Sequence, residues 1–223
     1  MNFVRVLLAM VGKDLRIEWR TKQLFVSSLS FALLLVFLMG MVLYGTTAMS
    51  PFSDAGLLWL LIMMAALFSL NRQDDKERWD GAIYGAYMAP ADRSVIFYAR
   101  VISHLLFVLV MEVFLVAIYG AAMGNAFQVN GIALIFVLAL GTLGFVAVGA
   151  MLTSLALTSS LREILVPIMI FPLSIPLLLG AVEVTSSILT GGWGQGVWWA
   201  VIAGYNVLFL GLPGLLYDFI AEV

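Results

Sequence analysis

Apolar runs of about twenty residues, separated by short polar intervals, recur along the whole chain, and that is the length a helix needs to cross the hydrocarbon layer of a bilayer. Composition agrees: the chain is 63% hydrophobic and 11% charged, where a soluble domain is about a quarter charged. A chain of 223 residues has room for six spans. The expectation is a single all-α, polytopic membrane domain over 1–223, with transmembrane helices near 24–44, 54–70, 95–123, 132–157, 164–182 and 197–217.

The longest polar interval runs from Asn71 to Arg100 and holds five of the eleven basic residues and five of the thirteen acids. Its mixed charges, Asp75 among them, read as a solvated extension of the second span. Asp80-Gly81 breaks that helix. Ala82 to Met88, with Ile83, Tyr84 and Tyr87, reads as a short helix stopped by Pro90. Lying across the feet of two long helices, it has the shape needed to pass force from a soluble motor, and 71–94 is expected to be a coupling loop.

Every Lys and Arg falls in three places: five before the first span, five in the polar interval, and Arg162 between the fourth and fifth spans. With six spans these lie on one side, and the excess of basic residues makes it the cytosol. Both termini are then cytosolic. Residues 1–22 are expected to be a retained interfacial helix, not a cleaved leader. Val4, Leu7, Leu8, Val11, Leu15 and Trp19 form one stripe, interrupted by Glu18; Arg5, Lys13, Arg16 and Arg20 form the opposite face. An apolar face opposite a basic one suits anionic headgroups; the competing reading is a helix packed on its own protein.

There is no phosphate-binding G-x-x-x-x-G-K-[ST] loop, so nucleotide hydrolysis of that kind would belong to a partner. Without cysteine, thiolate metal sites and covalent haem attachment are excluded. The lone histidine, His104, reads as a hydrogen-bonded interfacial residue or as a haem or metal ligand. Glu112 lies near mid-bilayer, where a bare carboxylate is costly; Asn206 and Tyr205 are candidate partners. Pro167, Pro172 and Pro176 bend the fifth span, as a hinge or a static kink. Gly141, Gly144 and Gly149 suggest close helix packing. Glu183 to Gly196 reads as a loop, with Trp193, Trp198 and Trp199 in an aromatic belt.

Four segments carry a resemblance: Lys13-Asp14-Leu15-Arg16 with Trp19-Arg20; Asp74-Asp75 through Asp80-Gly81 with Pro90; Thr142-Leu143-Gly144-Phe145; and Leu165-Val166-Pro167 through Phe171-Pro172-Leu173-Ser174-Ile175-Pro176-Leu177-Leu178. Together they resemble the membrane subunit of a type 2 ABC exporter, and more narrowly the CcmB family, haem exporter protein B of cytochrome c maturation, over the full length. Where that family tends to carry a glutamate after the Asp-Gly, this chain has Ile83-Tyr84-Gly85. The resemblance implies a subunit of a bacterial inner-membrane complex, not itself an enzyme. ATP would be bound by a partner, the ATP-hydrolysing component A of the system, and haem handled by the complex with components C and D. A haem-loaded chaperone E would be released at the periplasmic face. Membrane lipid and a second copy of the chain are further partners; no nucleic acid and no bound metal are implied. A six-span permease for another amphiphile and a passive scaffold stay open as alternatives.

Overall fold

The computed structural model describes residues 3–43, 50–79, 93–123, 131–155 and 162–220. Among them are seven α-helices and no strand: α1 (Phe3–Thr21), α2 (Gln23–Leu43), α3 (Pro51–Trp79), α4 (Arg93–Met123), α5 (Gly131–Leu155), α6 (Arg162–Leu189) and α7 (Gly196–Ile220). All but α1 contain stretches long and apolar enough to cross a membrane.

The core is built around α3. Its apolar part is the most buried of the six spans, with Trp59, Leu61 and Ala65 fully enclosed. α6, α2, α4 and α5 surround it. Small residues set the spacing. A methyl group at Gly141 would collide with the Trp59 ring, and one at Gly149 would collide with Leu70. Helices in lipid lack the drive that water supplies, so such close approach is how they gain packing energy.

The two ends of the bundle differ. One, the basic end, gathers α1, the start of α2, the end of α3 and the start of α4. α3 runs on past its apolar window, which ends at Asn71, to Trp79. The far end holds the α6–α7 turn. There the fifth span is longer than expected: Glu183 to Leu189 continue α6 as helix, and only residues 190–195 turn. Two of the polar side chains that make this stretch look like a loop have partners within the fold, Thr185 in Trp59 and Ser187 in the amide of Gly194.

α2 buries only Ser28, Ala32 and Val36, one residue per turn along a narrow stripe. Beside that stripe Phe31 stacks on Phe68 of α3 and Phe25 packs edge-on against Phe107 and Phe114 of α4, while Val26, Leu33, Leu34, Phe37, Leu38, Met41 and Val42 face outward. A groove of about 510 Å³ opens between α2 and α4, lined by Leu33, Val36, Phe37, Gly40, Met41, Ile118 and Ala122.

α1 packs on α4 and is divided into three sectors. Val11 is buried, and Asp14 accepts a hydrogen bond from Ser103 at 3.0 Å. Next to that arc, Val4, Leu8, Leu15 and Trp19 point away from the protein, Trp19 being 81% exposed. Arg5, Lys13, Arg16 and Arg20 are exposed on the side beyond. Glu18 is no intrusion in an apolar stripe. It sits on the protein-facing arc, and its Oε1 accepts the amide of Phe25 at 2.9 Å. It thereby caps the first turn of α2 across a one-residue corner, where Lys22 takes a left-handed φ of 51°.

Candidate functional site

Two regions concern function: the segment between α3 and α4, and the polar side chains within the spans. Asp75 lies in the last turns of α3. Asp80, Gly81, Ala82, Ile83, Tyr84, Tyr87, Met88 and Pro90 lie outside the described residues. α3 and α4, 29 and 31 residues long, are the two longest helices among those described, and they bracket this segment.

Within the spans, α4 carries most of the polar contacts. Proceeding from the basic end, Tyr98 donates to the Leu210 carbonyl of α7 at 3.1 Å. Ser103 reaches Asp14 of α1, which is itself 3.1 Å from Lys13. His104 hydrogen-bonds the Ala66 backbone of α3. Glu112 accepts the hydroxyl of Thr142 in α5. Near the far end, Tyr119 donates to both oxygens that Asp54 offers, Oδ1 at 2.6 Å and the backbone carbonyl at 3.2 Å. Helix α4 is thus tied by polar contacts to α1, α3, α5 and α7. Each tie satisfies a group that would be expensive to leave bare in hydrocarbon.

His104 is 1% exposed. Its side chain is enclosed between α4 and α3, against the Ala66 backbone. Glu112 is 2% exposed, and among the described residues its second oxygen has no hydrogen-bond partner. Its partner is neither of the residues expected from sequence. Asn206 instead donates to the carbonyls of Leu140 at 3.0 Å and Ile202 at 2.8 Å. Tyr205 donates to the Leu173 carbonyl of α6 at 3.1 Å. Among the described residues, no three of His, Cys, Asp and Glu come together as a metal site would require.

The three prolines lie inside α6, whose helical pattern is unbroken across them. Pro172 and Pro176 face outward. Sequence reasoning missed Thr142 as the partner of Glu112, the Asp54–Tyr119 pair and the bond from Trp59 Nε1 to Thr185 Oγ1 at 2.9 Å. The only signal was that Asp54 and Tyr119 stand at matching depths of neighbouring spans.

An all-helical body with six membrane-spanning stretches, polar contacts that join helices, and its charge concentrated at one end is a multi-pass membrane component. A family model, CcmB protein, matches residues 5–214. The chain belongs to the CcmB family, the membrane subunits of the ABC transporter system of cytochrome c maturation. A comparison with curated proteins found no match.

Proposed function

We propose that this subunit converts ATP hydrolysis by a partner into haem handling and release of a haem-loaded chaperone at the periplasmic face. The ATP-binding component A docks on residues 80–90, with Asp80, Gly81, Tyr84 and Tyr87 at its contact and Asp75 at the approach. Components C and D and the chaperone E complete the assembly, in which a second copy of the chain pairs with this one. Both termini face the cytosol.

The single observation that carries this reading is the framing of the segment by α3 and α4. α3 projects beyond its apolar window to Trp79, and α4 begins at Arg93. Force applied between them enters two helices that run the depth of the bundle. A partner can shift such a pair only through contacts that differ between its own states. Around this core, the apolar and basic sectors of α1 support an interfacial position, with Val4, Leu8, Leu15 and Trp19 in the acyl boundary and Arg5, Lys13, Arg16 and Arg20 at the headgroups. The prolines of α6 supply the bend that yields.

The test is ATP turnover by the purified complex. Asp80→Ala combined with Gly81→Pro abolishes the part of that turnover that depends on this chain. Unchanged turnover removes the motor contact from this segment and favours a passive scaffold.

A further inference from the structure

Pro167, Pro172 and Pro176 all fall within about the first half of the 28-residue α6, and each lacks the N–H that the carbonyl four residues earlier would use. From sequence all three are equivalent as points of bending. Their surroundings differ.

Beyond Leu173 the span is fastened to α7 at several levels. At the far end, α6 closes with a Schellman turn: Gly192 N donates to Ser187 O at 2.9 Å and Gly191 N to Ile188 O at 3.0 Å, with Gly191 at φ +84°. Gly194 N then donates to Ser187 Oγ at 3.1 Å, and Trp199 Nε1 to the Trp193 carbonyl at 2.7 Å, so the turn is bound to both helices. A methyl group at Gly192 would meet Ser187 Oγ at 2.6 Å. One level down, Gly180 lets α6 lie against α7: its added methyl would stand 3.1 Å from Ile202 and 3.4 Å from the Trp198 carbonyl. At mid-depth the hydroxyl of Tyr205 donates to Leu173 O at 3.1 Å and meets the Ser174 side chain. The ring of Tyr205 packs on Phe209 with centroids 4.5 Å apart. Gly144 of α5 makes room for it, since a methyl group there would lie 3.1 Å from the ring and 3.0 Å from Leu177.

Below Leu173 the fastening stops. Among the described residues, no side-chain hydrogen bond joins residues 164–172 to another helix. Ile164 and Ile168 are 60% and 62% exposed. Val166 and Ile170 hold the segment by apolar contact alone. Pro167 and Pro172 both fall here, and Pro176 falls in the fastened part.

We propose that Tyr205 is a positioning residue for the bent span. Its hydroxyl pins the outer half of α6 to α7, so that bending is confined to the inner half, between Arg162 and Pro172. This rests on the reading of α6 as the span that yields, and it assigns that yielding to Pro167 and Pro172. α7 and the outer half of α6 then move as one piece, while the inner half swings beside the end of α3 that leads into residues 80–90.

Hydrogen exchange of the full chain in lipid nanodiscs, followed by mass spectrometry without nucleotide or ATPase, tests the pinning separately from the coupling. In the unmodified chain the amides of 173–189 exchange more slowly than those of 164–171. Tyr205→Phe keeps the ring in the Gly144 notch and removes only the hydroxyl. It speeds exchange at 173–177 by about fivefold, the factor that one hydrogen bond of ordinary strength in a membrane is worth, and leaves α2 and α5 unchanged. Uniform protection along α6, or an unaltered pattern in Tyr205→Phe, overturns the proposal. A spin-label pair at Ile168→Cys and Leu212→Cys, read in the complex with and without ATP, tests whether α6 moves at all. A static pair there defeats the hinge reading while leaving the exchange result standing.

Discussion

Glu112 shows how far single residues are legible. A carboxyl in the middle of an apolar run is visible at once in the sequence, because nothing else between His104 and Tyr119 is ionisable. Its partner is not, because Thr142 is one hydroxyl among many and only the packing of α4 on α5 selects it. The glycines are the reverse case. Close packing is foreseeable from their number in the fourth span, and the structure adds what each of them touches. Gly141 faces the Trp59 ring, which is fully buried and held through its Nε1 by Thr185. The indole has no room to retreat. Gly141→Ala is therefore expected to cost about 3 kcal/mol or more, lowering the midpoint of thermal unfolding by about 6–12 °C. Gly204→Ala, where an added methyl meets nothing within 4 Å, serves as the control and leaves the midpoint unchanged. Equal midpoints for the two variants would contradict the packing described for α3 and α5.

At the scale of helices, the apolar runs announce the spans because hydrocarbon demands a certain length, and length is written along one dimension. Helix ends are less legible, since they depend on who satisfies the last polar groups. The stretch Glu183–Leu189 looks like loop by its polarity and is helix, with Thr185 and Ser187 already engaged by Trp59 and the turn. Glu18 looks like a flaw in an amphipathic pattern and is a cap for the next helix. That assignment has a measurable consequence. Glu18→Ala leaves the amide of Phe25 without its acceptor, at a cost of about 1 kcal/mol. Its signature is faster amide exchange confined to residues 23–26, with the rest of α2 unaffected. A change spread over the whole helix would mean that Glu18 holds α2 by some other means.

For the whole molecule, the distribution of charge is the informative quantity. The net charge is only −2, yet every basic residue sits in three stretches, and five of them precede the first span. On α1 the exposed apolar sector lies between the protein-facing arc and the basic face, which is the order needed by a rod lying along a membrane surface. Arg16→Glu with Arg20→Glu is expected to remove about 1 kcal/mol per residue of attraction to anionic lipid. Thermal midpoints measured in anionic and in zwitterionic nanodiscs check this. The unmodified chain gains stability from anionic lipid, and the double variant loses most of that gain. An equal gain in both would place α1 away from the headgroups.

The thin attachment of α2 makes the surrounding solvent part of the structure. Its apolar window is the least buried of the six; Ser28, Ala32 and Val36, the rings of Phe25 and Phe31 against Phe107, Phe114 and Phe68, and the corner at Lys22 hold this helix in place, and the cleft beside Gly40 opens outward between α2 and α4. Stripping with a short-tailed surfactant should therefore loosen α2 before any other span, whereas long-chain amphiphiles that fill the cleft should preserve it. The choice of extraction medium is then a structural variable for this protein, and comparisons of its behaviour are meaningful only when that medium is held constant.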